Sequence, residues 1–344
     1  MKVFFNSFTR ILFLAFINFQ VYAQQILPVN KNASKETKDL LNYLYKISGK
    51  KTLYGIHNII GGMSKPTDSI YTLIGKYPAI WGGDFGFADS THDIDNIKYR
   101  PLLVPEIKKQ YARGSIIVMT YHQANPVLGE PTPFQGGIIS KLTDEEWKEL
   151  TTPGTALYKK WCVQMDLIAV YFKQLQEAHI AVIFRPYHEM NGSWFWWGHR
   201  KGNDGFKALW HQLYDYYTNY HHLNNILWAW TPDKPWADVA DYYPADNTVD
   251  ILGCDIYPMK DSKTVYPQEW YDRMFKMAHG KPLALSENSV LPTKQVFKNQ
   301  PWVWMMSWGN MVFDKNSKEE IKELLDSKQI IMLKNLPQKI RKHK

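Results

Sequence analysis

Ala181-Val182-Ile183-Phe184-Arg185-Pro186-Tyr187-His188-Glu189 opens on four apolar residues and closes on a polar cluster. A short apolar run without polar alternation fits a parallel strand covered on both faces. Such a strand carries polar side chains at low cost only near its ends. Here they gather at the C-terminal end. A helical pattern precedes the run at Tyr158–Gln176, and another follows at Phe206–Asn219. A strand set between helices reads as a βαβ unit.

The unit recurs in both directions along the chain. The expected strands are Thr52–His57, Ala79–Phe85, Ser115–Tyr121, Ala181–Tyr187, Ile226–Trp230, Val249–Tyr257, Pro282–Glu287 and Trp302–Trp308. Eight of them over 344 residues predict an α/β fold, a single-domain (β/α)8 TIM barrel. A doubly wound open sheet is the structural alternative. No glycine-rich phosphate loop follows the first strand, which counts against its nucleotide-binding form. The longest irregular stretch, Ala124–Leu142, falls after the third strand. In a barrel that places it on the face where active sites are built.

The strand ends carry the chemistry. They offer His57, Asp84, Tyr121-His122, Arg185 to Glu189, Asp255-Ile256-Tyr257, Ser286-Glu287-Asn288 and Ser307-Trp308. Glu189 after the fourth strand and Glu287 after the seventh face each other across a barrel mouth. Two carboxyl groups flanking a glycosidic bond are what glycoside hydrolysis requires. A structural ion pair is the plainer role for either one alone. Arg185 lies four residues before Glu189, an even spacing that predicts the same side of an extended run. Arg185 and Tyr257 are placed to hydrogen-bond a carboxylate. His122 and His188 are placed to meet sugar hydroxyls. Trp194, in the run Trp194-Phe195-Trp196-Trp197, is expected to form a sugar platform, and Trp308 the floor of the reacting subsite. Packing beneath the loops is the alternative for both.

The ends of the chain speak to location. Lys2 and Arg10 precede the apolar run Ile11–Phe19, and Val21-Tyr22-Ala23 offers small-residue cleavage positions. This predicts a signal peptide over residues 1–23, a catalytic domain over 24–344, and export to the periplasm or outside the cell. An uncut membrane anchor is the alternative. No other segment is long and apolar enough to span a bilayer. The net charge of +8 is concentrated partly in the tail from Lys339 to Lys344. It lacks the aromatic–basic stripe of a nucleic-acid binder. Aromatic residues make up 15% of the chain, 14 of them Trp, which suits sugar stacking as well as core packing. Cys162 and Cys254 are expected to be free and buried, with a disulfide between them as the alternative. No zinc-type ligand spacing is present, so neither a metal nor a cofactor is expected.

Phe184-Arg185-Pro186-Tyr187-His188-Glu189-Met190-Asn191-Gly192-Ser193-Trp194-Phe195-Trp196-Trp197-Gly198 closely resembles the acid/base segment of glycoside hydrolase family 26. Ser286-Glu287 resembles its nucleophile strand, Tyr121–Pro126 its third-strand sugar-binding segment, and Asp255-Ile256-Tyr257 its sixth-strand tyrosine. The resemblance runs from about Thr52 to Pro337. It implies a (β/α)8 barrel, Glu189 as acid/base, and Glu287 as nucleophile. It also implies subsite roles for His122, His188, Trp194, Tyr257 and Trp308, with Trp147 as a further subsite tryptophan. Some members carry arginine after the eighth-strand tryptophan, where this chain has Gly309.

The implied activity is retaining hydrolysis of β-1,4-mannan, galactomannan, glucomannan or manno-oligosaccharides by a monomer. Mixed-linkage β-glucan and β-1,3-xylan are alternative substrates. A non-catalytic carbohydrate-binding protein is the alternative of another class; the presence of both glutamates argues against it.

Overall fold

Val182, Phe184 and Pro186 alternate with Ile183 and Arg185 along the fourth barrel strand, and the two sets meet different surroundings. A computed structural model describes residues 26–89, 94–259 and 264–341. Its eight parallel strands are β1 (Thr52–His57), β2 (Ile80–Asp84), β3 (Ile116–Tyr121), β4 (Val182–Pro186), β5 (Ile226–Trp230), β6 (Ile251–Ile256), β7 (Leu283–Asn288) and β8 (Trp304–Trp308). Each pairs with the next, and β8 pairs back onto β1 with Leu53 opposite Trp304 and His57 opposite Trp308. The sheet is therefore closed, as the eight expected strands require. Two residues, Ile330–Ile331, pair in parallel alongside the start of β1, Ile330 opposite Thr52 and Ile331 opposite Leu53.

One apolar cluster takes a residue from every strand: Leu53, Ile80, Val118, Ile183, Leu227, Ile251, Ala284 and Met306. These fill the barrel interior. Leu40, Leu41, Leu44 and Ile47 of the helix Lys35–Ile47 join the same cluster and close its floor. The intervening positions, among them Ile56, Met119, Phe184, Trp228 and Leu285, join Phe172, Leu209 and Met274 of the surrounding helices. Period-two alternation thus exists on every strand. It is invisible as polarity because both faces are apolar. Bulky and small residues alternate inside: a Cβ on Gly82 would lie 2.5 Å from the Met306 sulfur.

The helix Ala156–Glu177 shows how the outer layer is fixed. Thr155 caps it by accepting a hydrogen bond from the Tyr158 N–H. Its inner side buries Trp161, Met165, Ile168 and Phe172. The expected helix Phe206–Asn219 forms as an α-helix only to Asp215. It continues as one π-helical turn, Tyr216–Tyr220. Among the described residues, no helix is long and apolar enough to cross a membrane. The expected signal peptide lies outside the described residues. Both cysteines are free, with Cys254 buried and Cys162 half-buried.

Candidate active site

β4 ends at Pro186, and the chain then turns sharply. Tyr187 and Glu189 adopt φ of 49° and 55°, a region disfavoured for residues with a β-carbon. The surroundings over-determine the turn. The Glu189 N–H donates to the Thr231 carbonyl at 2.8 Å. The Trp197 indole donates to the His188 carbonyl at 2.8 Å. The Tyr187 hydroxyl accepts from Trp161 and donates to Gln123, each at 2.8 Å. The expected even-spacing link between Arg185 and Glu189 does not apply, because the backbone is no longer extended after Pro186.

Glu287 reaches the mouth by another device. Leu283 and Leu285 face the helices, so strict alternation would send residue 287 the same way. The ladder slips by one residue there. Cys254 pairs with Leu285 but Asp255 with Glu287. On the other side, Met305 pairs with Leu285 but Ser307 with Asn288. This β-bulge in β7 lets both Ser286 and Glu287 face inward.

Arg185, fully buried, ties these elements together. Its Nη2 donates to Asp255 Oδ1 and Oδ2 at 2.9 and 2.8 Å and to Glu287 Oε1 at 3.0 Å. Ser286 Oγ donates to Asp255 at 2.6 Å, and the Tyr257 hydroxyl to Glu287 Oε2 at 2.8 Å. Oxygen atoms of Glu189, Asp255 and Glu287 lie within 4.8 Å of one another. Among the described residues, these acids form the one cluster able to offer oxygens to a cation. The Arg185 guanidinium already sits on two of the three, so the cluster's charge is met from within the protein. Glu189 accepts from the Trp194 indole N–H at 2.9 Å. Burial, and next the charges of Glu287 and Asp255, hold the Glu189 carboxyl well above its ordinary range.

Histidines line the other wall. Asp84 bonds His122 Nδ1 and accepts from the His122 and Gly86 N–H groups at 3.1 and 2.7 Å. Burial pushes the Asp84 carboxyl up, but His122 and its hydrogen bonds bring it down to about 2. Thr120 Oγ1 donates to the Arg185 carbonyl at 2.9 Å and so accepts from His188 Nδ1 at 3.2 Å. That hydrogen-bond accounting leaves His188 Nε2, 4.0 Å from Glu287, as an acceptor. Burial, and next the proximity of His122 and Arg185, push His188 well below its ordinary value, which favours the neutral ring. His57 lies flat against Trp308, ring centroids 3.8 Å apart, and supports one face of the half-buried indole. Gly309 follows with φ 54°, a conformation that disfavours any residue with a β-carbon at that position.

Seven of the named residues, Glu189, Glu287, Arg185, Tyr257, His122, His188 and Trp308, therefore meet directly or through one neighbour, and Trp194 meets Glu189. Trp147 does not join them. It lies in the helix Asp144–Leu150, is 4% exposed, and spends its indole N–H on the Asp204 carbonyl at 2.8 Å, with Arg200 over its ring. Of the four-aromatic run only Trp194 keeps exposure; Phe195, Trp196 and Trp197 are buried. Their role is to pin loops, as Trp196 does by donating to the Gln123 carbonyl at 2.8 Å. Gly192 is needed because the Trp194 ring lies 2.3 Å from where its Cβ would be. Asp84, Asp255 and Thr231 act here without having been assigned roles from sequence. Their even spacing from interior residues Ile80, Ile251 and Leu227 was the available signal. The loop Ala124–Leu142 does reach this face. Glu130 is held by Arg100 at 2.6 Å and by Tyr121 at 2.8 Å, and Phe134 packs edge-on to His122.

A closed parallel barrel with two glutamates in its mouth, one pushed by burial towards its protonated form and the other gripped by arginine and tyrosine, is the arrangement of a glycoside hydrolase. A sequence profile of glycosyl hydrolase family 26 matches residues 29–334, and the chain belongs to that family. It is 30% identical over 285 residues to a mannan endo-1,4-beta-mannosidase of Bacillus subtilis, covering 78% of this chain and 75% of that protein. GH26A from Muricauda sp. MAR_2010_75 superposes with TM-score 0.84 at 38% identity, covering 90% and 99% of the two chains. The beta-mannanase from a symbiotic protist of the termite Reticulitermes speratus, solved with a gluco-manno-oligosaccharide, superposes with TM-score 0.77 at 27% identity, covering 90% and 97%.

Proposed function

We propose that the protein is an exported, monomeric β-1,4-mannanase that cleaves mannans or manno-oligosaccharides with net retention by double displacement. The observation that carries the mechanism is the approach of the Glu189 and Glu287 oxygens to within 4.8 Å. Retaining enzymes hold their carboxyl groups about 5–5.5 Å apart, and inverting ones about 6.5–9.5 Å to admit a water. Glu189, protonated, gives its proton to the leaving oxygen while Glu287 attacks the anomeric carbon. Glu189, now ionised, takes a proton from the water that breaks the glycosyl–enzyme bond. His188 Nε2 accepts from a hydroxyl of the reacting sugar, and Trp308 underlies the ring. The family relatives named above support mannan as substrate, and residues 1–23 support export.

Purified protein is incubated with galactomannan, glucomannan, mixed-linkage β-glucan and β-1,3-xylan, and the products are resolved over time. Manno-oligosaccharides are expected, with the β-anomer formed first by NMR. Their early sizes read endo against exo action. Cleavage of β-glucan or xylan alone would remove the mannan assignment, and an α-anomer would remove double displacement.

The Trp194 bond yields a pH prediction. A donor to the ionised carboxylate lowers its pKa. Trp194→Phe keeps a ring and deletes the N–H, so the Glu189 carboxyl rises further. The alkaline limb of the kcat/KM profile, set by loss of this proton, is expected to move to higher pH. An unmoved limb would mean that another group sets it.

A further inference from the structure

The π-helical turn Tyr216–Tyr220 interrupts the outer helix layer, a feature that recurs at functional sites. It stacks Tyr216 on Tyr220 with centroids 4.8 Å apart and planes 10° from parallel. Tyr216 is locked in place, because its hydroxyl donates to Asp166 at 2.7 Å and His221 bonds the same oxygen at 2.8 Å. Tyr220 is 67% exposed. The pair stands in an open groove of about 760 Å³ on the flank of the barrel, between the helices Ala156–Glu177 and Phe206–Asp215. None of its lining residues belongs to the cleft described above. Tyr158 adds a third ring, and Gln212, Asp215 and Asn219 supply hydrogen-bonding groups along it. Asn219 donates to Asp215 at 2.8 Å, which orients the amide.

We infer that this groove is a second carbohydrate-binding site, which holds the polymeric substrate while the cleft acts on it. A rigid aromatic platform with amide and carboxylate groups beside it fits a β-linked hexopyranose chain: the apolar ring face stacks and the hydroxyls bond outward. The Tyr216 ring, itself anchored through its hydroxyl to Asp166, backs Tyr220 and leaves it less freedom to lose on binding. The groove volume lies in the range of ligand sites, about 300–1,000 Å³. The choice of mannan as the occupant rests on the substrate reading above.

The test compares the native enzyme with Tyr220→Ala and Tyr220→Phe. Rates are measured on insoluble mannan and on mannopentaose, and binding by pull-down on insoluble mannan with each form also carrying Glu287→Ala. Tyr220→Ala is expected to weaken binding and slow insoluble-mannan hydrolysis by about threefold to tenfold, the size of one aromatic contact. Its kcat/KM on mannopentaose stays unchanged, and Tyr220→Phe keeps both properties. Equal pull-down of the native and alanine forms overturns the second site. So does an equal loss on mannopentaose, which would place the damage in the cleft or the fold. If the native enzyme leaves mannan intact and cleaves another β-glycan, the mannan reading falls. The pull-down on that polymer then decides for or against Tyr220 by the same two outcomes.

Discussion

Glu287→Ala is expected to lower kcat on polysaccharide at least about ten-thousandfold while the protein stays folded, since covalent catalysis loses its nucleophile and no neighbour can replace it. Asp255 is near, but both of its oxygens are engaged by Arg185 and Ser286, and it belongs to the interior layer beneath the cleft. The ion pair Arg185–Asp255 survives the substitution, so no buried guanidinium is left without a partner. The melting temperature is therefore expected to stay within a few degrees of the native value. Azide, small enough for the space left by the carboxylate, is expected to restore turnover of an aryl glycoside and give a product of inverted configuration. Retained hydrolysis by the purified variant would remove Glu287 from the role of nucleophile.

Glu189→Ala is expected to act differently by leaving group. Loss of a general acid costs about a hundredfold to ten-thousandfold where the departing oxygen needs a proton. Mannan should suffer a loss of that size. A nitrophenyl mannoside, whose phenolate departs unaided, should keep its first step and stall at the second. A burst of nitrophenol followed by slow turnover is the expected trace. The alkaline limb of the pH profile should vanish as well, because burial and the charges of Glu287 and Asp255 raise the carboxyl that sets it. Equal losses on both substrates would argue for a structural role of Glu189.

The barrel was largely legible because each strand is an apolar run bounded by helices, and observed strands differ from expected ones by a few residues at the ends. The expected strand Val249–Tyr257 begins at Ile251, for instance, and Ala181–Tyr187 begins at Val182 and stops at Pro186. The π-helical turn at Tyr216–Tyr220 was not legible, since its residues continue a helical pattern without a break. Trp147 was expected at a subsite by resemblance, and the structure places it apart from the residues around Glu189 and Glu287. Its indole N–H is spent on the Asp204 carbonyl, a contact that exists only once the loop carrying Asp204 packs over the helix Asp144–Leu150.

Sequence alone determined the chemical endowment: which residues end the strands, two glutamates on the fourth and seventh of eight units, and an arginine and a tyrosine to accompany them. Those facts follow from one-dimensional patterns, since apolar runs and their spacing report burial. The tertiary structure decided which side chains converge. Glu189 is aimed by a left-handed turn held from β5 and the following aromatic loop, and Glu287 by a bulge measured against both neighbouring strands. Neither device changes residue type or hydropathy. A one-residue slip in a ladder and a positive φ exist only in relation to partners distant in the chain, and those partners meet only when the barrel closes.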